Sequence, residues 1–311
     1  YIKQSQEGDK VFRLPLAIDI YTGTDKKRYN VWTENKTDTL VFSNASQPSL
    51  VNVDADKVLL WDKTDNKTAD NFIFQFQHAR NYMDRKEALD YFNKNGMKEL
   101  ELGLNDNYSD LRRSTIDRLA KSKLAQDAAI IGKIEKIADT DKDKKAKAAA
   151  IRFLAATKDA KYQALYNKYV GDSSYSVAAA ALGGLSTLDP AKSYQLAKKY
   201  SSDAKGALGT VVNNAIINNG TESDFEFISG RYDEAPVSQA KLEMTSSFAD
   251  YLAKLNDVAK IKKGIDQIIR FRGFIPQQYK NITDPAFKAS FEKISKAKGE
   301  EIATYITEVF K

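Results

Sequence analysis

One histidine, no cysteine and a few short clusters of charge hold whatever chemistry this chain can do. His78, in FQHARNYMDR, is of the type that serves as a general base or a metal ligand. It has no second histidine to share an ion and no carboxylate three or four residues on. The alternative is a partly buried histidine packed at a junction. Asp54 and Asp56 in NVDADK, and Asp139, Asp141 and Asp143 in ADTDKDKK, alternate as calcium-loop ligands do. Both runs lack the sharp-turn Gly and the closing Glu, and Lys142, Lys144 and Lys145 would oppose a cation. The first therefore reads as a turn whose Asp side chains bond their own backbone, the second as a solvated loop capping a helix. In RFRGF, Arg270 and Arg272 flank Phe271 and could hold a carboxylate bidentately, for instance a peptide C-terminus. The same residues suit a helix end, with Gly273 as its cap.

Whole classes of chemistry are absent. Without cysteine there is no disulfide, thiolate nucleophile or Cys-ligated metal, and one histidine excludes two-His and three-His zinc sites. No phosphate-binding glycine loop with its lysine and no Gly-x-Ser-x-Gly elbow is present. The net charge of +6 comes from 48 basic and 42 acidic residues, interspersed along the chain, which speaks against a nucleic-acid partner. No run is apolar enough for a membrane span. Asn-x-Ser/Thr sequons at Asn35, Asn44, Asn66, Asn107, Asn219 and Asn281 are the number expected by chance in a chain rich in these residues.

The elements that must position these residues change character near Thr68. In VFRLPLAIDIY, Phe12, Leu14, Leu16, Ile18 and Ile20 alternate onto one strand face, with Pro15 at an edge or strand start. RYNVWTEN, DTLVFSN, SLVNVD and KVLLWDK read as four more strands, making a small antiparallel β-sandwich over residues 1–66. Beyond it the period becomes helical: Phe72, Phe76, Ala79 and Tyr82 share a face, and Asp84 is the expected N-cap of the next helix, ending at Gly96. Leu119, Leu154, Leu185 and Ile216 recur at steps of 35, 31 and 31 residues; Ile116, Ile151 and Leu182 keep the first two steps. Such a period predicts stacked helix pairs, with Ala178–Ala181, Gly183 and Gly184 allowing close approach. Ile261, Ile265, Ile268 and Ile269, then Phe291 and Ile294, then Ile302, Tyr305, Ile306 and Val309 mark later helices, with breaks at Pro276 and Pro285. The fold class expected is mainly α: a β-sandwich linker domain followed by an α-solenoid of HEAT-like helix pairs over residues 67–311.

The order VFRLPLAIDIY, YNVW, TLVF, PSLVNVDADKVLLWDK, FQHARNYMDRKEALDYF resembles the region after the catalytic domain in the aminopeptidase N family of zinc peptidases. The match covers about residues 11–95. Val51, Val53, Asp54, Leu59, Leu60 and Lys63 fit the family's closing hairpin; Ala79, Arg80, Arg85 and Ala88 fit the start of its helical domain. The family's H-E-x-x-H motif is missing, so no catalytic or metal residue carries over. The resemblance implies a C-terminal segment of a longer, bacterial protein, capping an active-site cavity and limiting peptide access; the compartment stays open, with a periplasmic or exported parent compatible with it. Its partners would be its own N-terminal catalytic domain, which would hold the zinc, and the peptide substrate; this chain itself would need no cofactor. The other reading is a protein-binding scaffold of the same architecture without zinc.

Overall fold

The computed structural model describes residues 1–43 and 46–310. The sequon at Asn44, which is also the end of the expected third strand, lies outside the described residues. The chain forms two compact units, Tyr1–Lys133 and Ile134–Lys311. It is mainly helical, with small antiparallel sheets confined to the start.

In the first unit β1 (Ile2–Lys3) pairs with β4 (Thr37–Asp38), while β2 (Leu14–Thr22) is central to a second sheet, between β3 (Asp25–Thr33) and β5 (Leu50–Val53). β2 and β3 join through Gly23–Thr24, and the left-handed φ of 59° at Gly23 is what a two-residue hairpin turn demands. Leu16, Ile18 and Ile20 are buried as the alternation predicts, against Ile2, Val31, Leu40, Phe42, Leu59 and Trp61. Phe12 precedes the strand and stays half exposed. Pro15 sits at the strand start, outside the stretch that pairs with β5.

KVLLWDK is not a strand. The Asp54 carboxylate accepts hydrogen bonds from the Val58 and Leu59 amides at 3.2 and 3.3 Å, removing two donors a ladder would need. Asp54 and Lys57 both have left-handed φ, which turns the chain away from β5.

Helices α1 (Ala69–His78), α2 (Tyr82–Lys94) and α3 (Ser109–Leu119) follow in this unit, with 3₁₀ segments at Lys98–Asn105 and Lys123–Gln126, and its boundary at Lys133 falls within the next helix. Thr68 and Asn71 form a capping box at the start of α1. Asp84 is not the N-cap of α2, which is Asn81. It lies buried one turn in, 2.7 Å from the Lys57 ammonium and 3.1 Å from the Asn52 amide. Gly96 ends the helix with φ 63°, as expected.

After α4 (Ala128–Thr140) the second unit runs α5 (Lys144–Ala156), α6 (Gln163–Tyr169), α7 (Tyr175–Leu188), α8 (Pro190–Tyr200), α9 (Gly206–Asn219), α10 (Phe225–Glu234), α11 (Gln239–Leu252), α12 (Val258–Gly273), α13 (Gln277–Lys298) and α14 (Glu300–Val309). Asp143, Asp189, Ser238 and Asp257 cap α5, α8, α11 and α12 through their side chains. Alternate helices pack together: α5 on α7, α7 on α9, α9 on α11 and α11 on α13, with α10 on α12 and α12 on α14 forming a second series. Leu154, Leu185 and Ile216 are the buried centres of α5, α7 and α9, and Leu119 holds the same place in α3. Pro276 separates α12 from α13. Pro285 does not break the chain; α13 runs through it, on an exposed face where water can take the one carbonyl it leaves free.

Candidate functional site

The second series of helices is laced by charge. Lys198 lies 2.7 Å from Asp224 ahead of α10, Lys263 of α12 lies 2.8 Å from Glu226 of α10, and Lys262 lies 2.9 Å from Glu301 of α14. The first series differs at its centre. α7 and α9, 14 residues each, contain no charged side chain in a chain that is 29% charged. α9 exposes Ala207, Thr210, Asn214 and Asn218 at helical spacing.

A cavity of about 320 Å³ opens beside this stripe, where Thr210, Asn213 and Asn214 of α9 face Lys241, Glu243 and Ser247 of α11. Asn213 Oδ1 is buried there without a hydrogen-bond partner. Lys241, only 6% exposed, donates to the carbonyls of Asp233 and Ala235 at 3.0 and 2.8 Å, satisfying the end of α10. Burial pushes its ammonium below the usual lysine range, with Arg270 adding to this and Asp233 opposing it. Sequence reasoning missed this groove. The one available signal was 28 helical residues without a charge.

The first unit holds a polar cleft of about 380 Å³ bordered by β2, β3, β5 and the turn between α1 and α2. Asp19 faces Arg28 across the β2–β3 ladder and takes its Nε and Nη2 at 2.6 and 2.9 Å, with Lys26 at 3.3 Å. Burial raises the Asp19 carboxyl's affinity for a proton, but Arg28 and Lys26 outweigh it and hold the group below the usual carboxylate range. Arg28 also reaches Asp56 at 2.7 Å. His78 is exposed, not partly buried, and stacks on Phe74 at 4.1 Å. Among the described residues its one described contact is that ring, with no carboxylate paired to it.

Arg270 and Arg272 do not converge. Positions two apart on a helix point to opposite sides. Arg270 reaches Asp233 of α10 at 3.0 Å; Arg272 grips Asp284 of α13 at 2.8 and 2.9 Å and lies 4.4 Å over the Phe310 ring. A peptide carboxylate would have to displace one of these acids. Among the described residues no group of three His, Cys, Asp or Glu is placed to hold a metal, and no helix is long and apolar enough to cross a membrane.

No family model matches the sequence, and no curated protein matches it. Among solved structures, the complex of CpcE and CpcF of phycocyanin lyase from Nostoc sp. PCC7120 is similar over 78% of this chain and 98% of that one, at 13% identity and a TM-score of 0.44. YibA of Escherichia coli is similar over 81% of this chain and 100% of its own, at 15% identity and a TM-score of 0.44. At that identity and score neither likeness carries a function across. Neither is an aminopeptidase. The aminopeptidase N resemblance is thereby overturned, and with it the reading of the chain as the cap of a zinc metallopeptidase. Its closing hairpin is also missing, since Leu59, Leu60 and Lys63 lie outside any strand and Leu60 is fully exposed.

Proposed function

We propose that this chain is a protein-binding scaffold: an α-solenoid of HEAT-like helix pairs preceded by two small sheets closed on one core as a sandwich. The groove between α9 and α11 is the surface that receives the partner. The observation carrying this reading is the pair of uncharged helices α7 and α9, with a cavity opening beside α9 to which that helix contributes only Thr and Asn side chains. The cores of protein interfaces are depleted of charge, because a charge buried on binding must be desolvated. Asn and Thr side chains both donate and accept, so they can bind the backbone of an extended segment. A partner's N–H reaching Asn213 Oδ1 would satisfy a group whose isolation costs roughly 1–3 kcal/mol.

The test is a displayed random-peptide library panned on the purified chain. Selected peptides should bind the wild type and lose binding to Asn214→Arg and Thr210→Arg. They should keep binding to Lys192→Glu, a change on exposed α8 surface. Failure to enrich any peptide, or equal binding to Asn214→Arg, overturns the reading.

A further inference from the structure

A second cavity of the first unit, of about 870 Å³, lies where α2 ends and α3 gives way to the 3₁₀ segment Lys123–Gln126. Lys94, Lys121 and Lys123 line it, all exposed, and among the described residues no carboxylate is paired with any of the three. Arg118 lines it too. One of its terminal nitrogens, Nη2, is held by Asp90, while the other, Nη1, is buried with no hydrogen-bond partner among the described residues. The one carboxylate on the wall, Asp117, is already bound to Arg113 at 3.2 Å. Met97, Leu100 and Leu124 give the cavity an apolar side.

We infer that this cavity binds a small organic phosphate with two or more negative charges, its phosphate held by Arg118 and the three lysines and its organic part by the apolar side. Lys94 and Arg118 stand in the last turns of α2 and α3, where a cation offsets the carbonyl end of a helix. Lys121 and Lys123 lie beyond those turns, so that role does not account for them. Four cations share a wall with one carboxylate that is itself engaged. A multiply charged anion matches such a wall, whereas a single carboxylate would leave most of it unmatched. Lysine binds phosphate as a point charge, and the planar fork of arginine adds direction. The Nη1 atom is the independent sign of a ligand, because buried polar groups in folded proteins are nearly always satisfied. The volume is within the range of small-ligand cavities. This inference does not depend on the groove in the second unit.

The test is isothermal titration calorimetry of the full chain, at fixed pH and low salt, with pyrophosphate, adenosine 5′-diphosphate, adenosine and citrate. Pyrophosphate should bind saturably and adenosine 5′-diphosphate more tightly. Adenosine should not bind, and citrate, which offers carboxylates instead of phosphate, should bind more weakly than pyrophosphate. Lys121→Gln combined with Lys123→Gln, both at exposed positions, should leave the fold intact and weaken the diphosphate by about tenfold or more. Arg118→Lys keeps the charge and loses the fork; with its fold verified by circular dichroism, it should weaken the diphosphate as well. Lys36→Gln, the same loss of charge on exposed surface away from the cavity, should change nothing. No saturable binding of either phosphate, citrate tighter than pyrophosphate, adenosine 5′-diphosphate no tighter than pyrophosphate, or an unchanged affinity in the double lysine variant would each overturn the assignment.

Discussion

Tyr166 on α6 is fully buried, and its hydroxyl has no partner. Burial pushes its ionisation up to about 12 from an ordinary 10.0, with Tyr162 and Asp159 adding to the shift. Tyr166→Phe removes an unsatisfied group while leaving the ring in place. Chemical denaturation should find the variant as stable or more stable by about 1 kcal/mol at neutral pH. The pH dependence has a definite sign. The folded state holds this proton more tightly than the unfolded state, so its contribution is intact below pH 10 and is lost as pH rises toward 12. The decline in stability over that window should be shallower in Tyr166→Phe; an identical decline would mean that Tyr166 does not contribute. The sequence could not reveal the orphan hydroxyl, because nothing local to QALYNKY says which ring will face a helix. It did reveal Asp143 as a helix cap, because that bond is made to amides two and three residues on.

At the level of elements, α7 lies against α6 so closely that a Cβ on Gly184 would sit 2.7 Å from the Tyr166 ring. Gly183, its neighbour, has open space around it. The Gly-Gly pair was legible as a sign of close approach, since glycine inside a helix is otherwise a loss. Which of the two mattered depends on where the next helix crosses. Gly184→Ala should therefore destabilise the protein by roughly 2 kcal/mol through overpacking. Gly183→Ala should be neutral or stabilising by about 0.5–1 kcal/mol. Urea unfolding midpoints of the two variants decide it, and equal effects would contradict the crossing. Asp84 and KVLLWDK show the opposite case. Local rules made Asp84 a cap and Lys57–Lys63 a strand. A buried ion pair with Lys57 and the Asp54 carboxylate's hold on two amides override both.

For the whole molecule, the recurring Leu119, Leu154, Leu185 and Ile216 fell on successive alternate helices because only a central, fully buried position constrains residue type so strictly. The switch from period two to helical period near Thr68 was visible, yet it marks a change of element within one compact unit. There Asn71 bonds the Ser49 carbonyl at 2.7 Å and Asn81 that of Ala55 at 2.6 Å. The polar cleft of the first unit and the α9–α11 groove were not legible, because each joins residues far apart in sequence. If the second unit is a stack of helix pairs, each layer should depend on its neighbours alone. Deleting residues 300–310 should raise amide exchange in α12 and α13, which touch α14, and should fade toward α5. A uniform rise from α5 to α13 would instead mean one indivisible core.

The order β3–β2–β5 leaves β3 with one row of backbone groups unpaired among the described residues. Such an edge invites a strand from another molecule, the first step toward aggregation. Lys26, Lys27 and Arg28 occupy a third of that nine-residue strand, so two copies approaching there meet a line of like charge. The same cations that brace Asp19 and Asp56 from within thereby help to keep concentrated chains apart.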